Sequence, residues 1–343
     1  MLDATEPAWR TNLSCLFERM HFILGEQVSA FEQELAAAFG ARFAVAVGTG
    51  TAAIELALRA SGLADSGAEV IIPALTSPFT AQAVLAAGCR PRFADVDPEH
   101  LLLDAASVGG KRVRAVVPVH LYGQPCPLPH SDRITVQDAC QAHGITTTFS
   151  SPAAYSFYPT KNLPCLGDGG AVLTNSSRIA AQLRSLRDGG RRNDQVARER
   201  AINSRLDEMQ ACYLRAFLPQ LDVWNADRIR LAALYDEALA GCDAVQPLRR
   251  RPGSVCHLYV VRAKRRDRLR TYLANHGIAT GIHYPLPLHL HPAFREFGPP
   301  RGALPIAERA CREILSLPLW PFMPESAVEE VAQRIQEFGL GSE

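Results

Sequence analysis

Along the first half of this chain, short apolar runs alternate with segments of helical spacing, and that alternation limits the fold more than any other feature. Phe43-Ala44-Val45-Ala46-Val47, Val70-Ile71-Ile72, Arg92-Phe93-Ala94-Asp95-Val96 and residues 113–119 and 134–138 read as strands. Residues 52–60 and 80–87 between them read as helices. Short strands that are apolar almost throughout are buried on both faces, so the pattern predicts an α/β domain with a mostly parallel sheet covered by helices. In such sheets ligands collect beyond the carboxyl ends of the strands. Residues 49–51, 120–124, 138–141 and 161 all fall just after strands, so one crevice could gather them.

A further helix is expected at about 17–39, where Phe31, Leu35 and Phe39 repeat at four-residue spacing before Gly40. A long helical region runs from 203 to about 239, after which the pattern changes. Residues 257–261 and 279–284 read as strands, and 265–276, 304–315 and 324–338 as helices. The expected division is a large α/β domain, 1–225, and a smaller α+β C-terminal domain, 226–343; the chain of 343 residues is long enough for both.

A formal net charge of +1 gives no reason to expect nucleic acid or an anionic membrane as a partner. No apolar run reaches membrane-spanning length, and the first residues lack the basic-then-apolar order of a secretory leader. Nine cysteines without CxxC pairing suit free thiols in a reducing cytoplasm. His283, His289 and His291 lack the nearby carboxylate or thiolate that would complete a metal ligand set, so no metal site is expected. The arginine-rich run 184–205 reads as a solvated or interface loop.

Only three of the 36 basic residues are lysines: Lys111, Lys161 and Lys264. A chain so committed to arginine keeps a lysine by chance or where a guanidinium cannot serve, and imine chemistry needs an amine that can lose its proton. Lys161 follows Ser156-Phe157-Tyr158-Pro159-Thr160 and precedes Gly167-Asp168-Gly169-Gly170 and an apolar run, so it sits on a tight loop before a strand. A surface lysine in a Pro-Asn turn would read the same way. The turn Gly48-Thr49-Gly50-Thr51, between strand and helix, could aim backbone N–H groups at an anion or use glycine only for the bend. Asp138, at a strand end, could be a helix cap or a partly buried carboxylate needing a cationic partner.

Taken in order, several stretches resemble the DegT-type sugar aminotransferases, fold-type-I pyridoxal-phosphate enzymes: Gly50-Thr51-Ala52-Ala53, residues 119–125, Asp138-Ala139-Cys140-Gln141-Ala142-His143-Gly144, residues 156–163, residues 167–171, residues 203–211 and Gly281-Ile282-His283-Tyr284-Pro285. The resemblance spans nearly the whole chain. It implies that Lys161 links to pyridoxal 5'-phosphate and shuttles the proton, and that Asp138 partners the pyridine nitrogen. It places Gln141 near the phenolic oxygen, and Gly50, Thr51 and Ser156 around the phosphate. Asn203 would reach the phosphate of a neighbouring subunit, making a homodimer with composite sites. His283 and Tyr284 would border the substrate. The implied activity is transfer of an amino group from L-glutamate or glutamine to a nucleotide-linked keto-deoxysugar, with a lean toward carbon 3.

Three departures from the family pattern stand out. Ser77 occupies a position that is usually aromatic and packs over the cofactor ring, so either Phe79 takes its place or the contact is lost. The connection 125–133 is too short and proline-rich for the usual crossover helix, which predicts uncovered apolar sheet for a partner to cover. The stretch 145–154 is also trimmed. Two alternatives remain open here: a cyclitol aminotransferase, and a binding or regulatory protein that kept the fold without turnover. A dehydratase of the same family is set aside because it needs histidine where this chain has Lys161.

Overall fold

A computed structural model describes residues 2–104, 112–128, 132–191 and 194–340. Its main sheet is built from β1 (Phe43–Val47), β2 (Glu69–Pro73), β3 (Arg90–Ala94), β4 (Val113–Val116), β5 (Ile134–Thr135), β6 (Gln137–Asp138), β7 (Ala153–Ser156) and β8 (Gly170–Thr174). The strands run in the orders β1-β8-β7-β6 and β3-β2-β4-β5. Both rows belong to one surface, since β5 and β6 are a single segment interrupted at Val136, whose N–H donates to Val116 O, and Val119 bridges to Asp138. All pairings are parallel except those of β8, which runs antiparallel to β1 and β7.

Alternate strand residues feed two cores. Val45, Val47, Ala154 and Val172 point into the cluster that includes α3 (Gly50–Leu58), α4 (Pro78–Ala86) and α5 (Ser177–Leu186). Ala44, Ala46, Ala153, Tyr155, Ala171 and Leu173 point the other way, toward α2 (Glu26–Phe39) and α6 (Glu208–Phe217). This two-sided burial is why the strands are apolar at successive positions and show no alternation.

The helix expected at 17–39 is two helices, α1 (Leu2–Arg19) and α2, broken where Met20 and Leu24 take positive φ. Glu208, the first residue of α6, ties the break down: its carboxylate accepts from the N–H groups of Gly25, Gln27 and Val28 at 2.8–3.0 Å. An anionic side chain there meets both the open donors and the positive end of α2. The region 203–239 is likewise divided, into α6 and α7 (Leu221–Ala238), with Pro219 in the intervening turn.

Beyond α7 a small antiparallel sheet, in the order β11-β10-β9, joins β9 (Gln246–Pro247), β10 (Tyr259–Arg262) and β11 (Ile314–Leu317). It is accompanied by α8 (Arg266–Asn275), α9 (Pro305–Glu313) and α10 (Glu325–Leu340). A separate core from Leu231 to Ile335 lies in this region, while Val260, Ile314 and the α9 residues Ala307, Ala310 and Cys311 pack into the first core. Two readings need correction here. The helix expected to 315 ends at Glu313, because Ile314-Leu315-Ser316-Leu317 is recruited as a fully buried strand against β10. The strand expected at 279–284 reduces to a single bridge from Gly281 to Ser316.

The parallel neighbours β4 and β5 are joined by residues 117–133, whose described part holds only a short 3-10 turn, Leu121–Gly123. The sheet beside this connection is charged where bare apolar surface was expected. Arg114 on β4 is exposed, and Arg92 on β3 meets Glu69 on β2 at 3.2 Å.

Candidate active site

The crevice lies beyond the carboxyl ends of β6 and β7. At its floor Asp138 is 5% exposed and pinned through both oxygens: Oδ2 accepts from Thr80 Oγ1 (2.8 Å) and Oδ1 from Cys140 N (3.2 Å). Its backbone is held from both sides, N–H to Pro118 O and C=O from His120 N. A carboxylate so fixed keeps lone pairs for a cationic partner.

Lys161 stands on the turn after β7, its N–H bonded to Tyr158 O. Burial lowers the pKa of its amine from the usual 10.5, while the nearby Cys140 and Asp138 pull it back up. The result is a lysine better able to act as a neutral amine, beside a carboxylate. The Cys140 thiol is itself pushed well above its ordinary pKa by burial, then by Asp138, so it faces the crevice as a neutral group.

Opposite stands the start of α3. Thr49 caps this helix through Oγ1, which accepts from Ala52 N (3.0 Å). A Cβ on Gly50 would lie 2.5 Å from Ser156 Cβ and 3.0 Å from Cys140 Sγ, so only glycine lets the helix start approach β7 this closely. The N–H groups of Gly50 and Thr51, the helix dipole and Ser156 Oγ thereby converge on a space suited to an anion. A phosphate group fits this donor set.

Gln141 is oriented by its neighbours. Its Oε1 accepts from Tyr122 N (2.7 Å), so its NH2 must face Tyr284, whose hydroxyl lies 3.2 Å from Nε2. Burial pushes the pKa of Tyr284 up to about 12, while the nearby Ser77 hydroxyl and Gln141 lower it against that effect. Phe79 is 58% exposed, and Tyr284 reaches in beside Ser77. His283 bonds Ser316 Oγ through Nδ1 (2.9 Å), and its pKa is lowered by burial and then by the charge of Lys161.

The structure therefore brings Lys161, Asp138, Gly50, Ser156, Gln141 and Tyr284 to one crevice, with Thr51 on the adjoining helix start. Asn203 is not joined to them within one chain; it is exposed, while its neighbour Ser204 accepts from Gly48 N (3.0 Å) at the turn that opens α3. His120 and Gln124, also at a strand end, serve the interior: His120 lies between Gln137 and Cys126 N, and Gln124 bonds His100 O and Arg251 N. Sequence reasoning missed the buried set behind Lys161, namely Asn162, Asn225 and His257, because their partners lie 63 and 95 residues apart. Among the described residues no three His, Cys, Asp or Glu side chains are grouped to hold a metal ion.

Comparison with known proteins adds to this geometry. A family model described as DegT/DnrJ/EryC1/StrS aminotransferase matches residues 10–336. A Streptomyces venezuelae protein named dTDP-3-amino-3,4,6-trideoxy-alpha-D-glucose transaminase is 41% identical, with 92% of this chain and 90% of that one covered. An Acidithiobacillus ferrooxidans UDP-N-acetyl-3-dehydro-alpha-D-glucosamine 3-aminotransferase is 36% identical over 95% of this chain and 92% of its own length. Among solved structures, S. venezuelae DesV in complex with a ketimine intermediate superposes with a TM-score of 0.94 at 38% identity, covering 100% of this chain and 97% of that one.

Proposed function

The chain belongs to the DegT/DnrJ/EryC1/StrS aminotransferase family, and from that premise we propose that it moves an amino group from L-glutamate or glutamine onto carbon 3 of a nucleotide-linked keto-deoxysugar. It is a pyridoxal-phosphate-dependent transaminase of the sugar-acting kind. The choice of carbon 3 draws support from relatives named for 3-amino or 3-dehydro sugars. The observation that carries the site assignment is the meeting of an amine of lowered pKa, Lys161, with the pinned carboxylate of Asp138 in one crevice.

When bound, the cofactor supplies an electron sink that lets a proton leave the carbon bearing the amine. Lys161, its pKa lowered by burial, is the group that would link to it and then take and return that proton at the substrate carbon. Asp138 would hold a proton on the ring nitrogen, Gln141 would donate its NH2 to the phenolic oxygen, and Gly50, Thr51 and Ser156 would hold the phosphate. His283 and Tyr284 close the side where the sugar enters.

The active form is proposed to be a cytoplasmic homodimer, with Asn203 of each copy completing the other's phosphate site. Its exposed position supports this, as do nine free cysteines, which suit a reducing compartment. No helix among the described residues is long and apolar enough to cross a membrane. The two-domain division at 225/226 is supported by the separate core beginning at Leu231.

An absorbance scan tests the central assignment. Purified protein with the cofactor should show a visible band near neutral pH that bleaches on adding L-glutamate and returns on adding a keto sugar nucleotide. Lys161→Ala should lack the band. A band unaffected by that substitution would place the linking lysine elsewhere.

A further inference from the structure

A set of buried polar side chains lies directly behind Lys161 and takes no part in the steps above. Asn162, the next residue, is 1% exposed, and its amide is engaged at both ends. Nδ2 donates to Asn225 Oδ1 (2.7 Å) and Val255 O (3.0 Å), and Oδ1 faces His257 Nδ1 (3.0 Å). Asn225, on α7, donates its own Nδ2 to His143 O (2.8 Å). Arg228, one turn further, donates to His257 O (3.3 Å) and Leu319 O (3.1 Å). Asn225, His257 and Arg228 are as enclosed as Asn162.

These contacts determine the orientation of every group. Val255 O and His143 O are carbonyls, so the NH2 ends of Asn162 and Asn225 must face them. Asn162 Oδ1 is then turned to His257, and His257 must carry its proton on Nδ1. Burial, reinforced by the charges of Lys161 and Arg228, lowers the pKa of His257 well below its ordinary value and keeps the ring neutral. Apolar side chains of similar size could fill this space with no desolvation cost, so the paired amides and imidazole give direction more than stability, while Arg228 Nε finds no partner among the described residues. The direction is specific: it ties the lysine turn to α7 and to the segment entering β10.

We propose that Asn162 and His257 are positioning residues that hold Lys161 at the crevice, with Asn225 locking the amide between them. Resting on Lys161 as the cofactor-linking lysine, this makes the placement of the amine depend on a histidine 96 positions away, acting through the Asn162 amide.

The test uses the full-length protein, stripped of cofactor and mixed with pyridoxal phosphate. The readouts are the rate at which the visible band appears, the pH midpoint of that band, and thermal melting as a control for folding. His257→Asn can present an N–H close to where Nδ1–H stood, whereas His257→Gln places its donor near Nε2. The Asn variant should keep the rate and midpoint. His257→Gln and Asn162→Ala should slow band formation by roughly 10–100-fold, the scale of an ångström-sized misplacement, and shift the midpoint. Folded Asn162→Ala or His257→Gln protein with wild-type rate and midpoint would overturn the proposal, as would equal behaviour of the two His257 variants. If Asn162→Ala does not fold, the Asn/Gln comparison at 257 decides alone. Lys161→Ala separates the layers: a band that survives it refutes the lysine assignment, whereas a Lys161-dependent band indifferent to residues 162 and 257 refutes only the positioning role.

Discussion

Replacing Gly50 with alanine tests whether the start of α3 is the anion cradle. The new Cβ would sit 2.5 Å from Ser156 Cβ and 3.0 Å from Cys140 Sγ. Carbon atoms prefer about 3.5–4.0 Å, so the helix start and β7 must separate by about 1 Å. Ser156 Cβ is fixed to a strand paired on both sides, and the helix start gives way first. Overpacking of this kind costs about 1–3 kcal/mol of stability. It also draws the Gly50 and Thr51 N–H groups off the phosphate. If cofactor binding weakens by about 100-fold, a cofactor concentration that stabilised the wild type by about 2.7 kcal/mol stabilises Gly50→Ala by only about 0.4 kcal/mol. Absorbance titration gives the dissociation constant, and melting with and without cofactor gives the linked stabilisation. Adding Ser156→Gly removes the clashing Cβ, so the double variant should bind more tightly than Gly50→Ala alone, a non-additivity expected only of residues in contact. Wild-type affinity and an unchanged cofactor-induced shift in Gly50→Ala would refute the cradle.

Three further outcomes are expected. Because the Lys161 pKa is lower folded than unfolded, the unfolded chain binds more protons between the two values, so this residue destabilises the apoprotein most at low pH and less as pH rises toward 10.5. Lys161→Met apoprotein should therefore melt above wild type at pH 7, with the gap narrowing by pH 10; a gap independent of pH would contradict the lowered pKa. Phe79→Ala should change cofactor affinity by no more than about 0.5 kcal/mol, as for an uninvolved surface residue, while Ser77→Phe should dislodge Tyr284 and alter affinity for the sugar nucleotide; the reverse pattern in binding titrations would show that Phe79 covers the ring. Mixing inactive Lys161→Ala and Asn203→Ala subunits should restore about a quarter of wild-type activity, since half of randomly assorted dimers are mixed and each has one intact site; no recovery despite demonstrated subunit exchange would rule out the composite site.

Much of this protein follows from the order of its residues. Strands buried on both faces must be apolar at successive positions, so β1, β2 and β8 are legible without coordinates, and so is the crevice at the carboxyl ends of the parallel strands. Lys161, Asp138 and Gly50 are legible for a related reason: each is bound to a short local pattern, a Pro-Thr-Lys turn, a strand-end aspartate, a glycine before a helix. Local patterns misled where tertiary pairing had the deciding energy. Residues 314 and 315 continue a helical pattern but join 316 and 317 as a strand against β10, and residues 279–284 keep only the bridge from Gly281 to Ser316.

What only the tertiary structure decided are relations between distant residues. No local rule says that Glu208 should cap a helix beginning at Glu26. None says that Tyr284 should reach Ser77, or that the sheet beside the shortened connection should be charged. The tautomer of His257 is the clearest case. It depends on an amide orientation set by two carbonyls and a second amide, contributed by segments that meet only when the chain has folded. Apolar periodicity is a property of one element and can be read along the chain. The direction of a buried hydrogen bond belongs to two elements at once, and exists only where they are packed together.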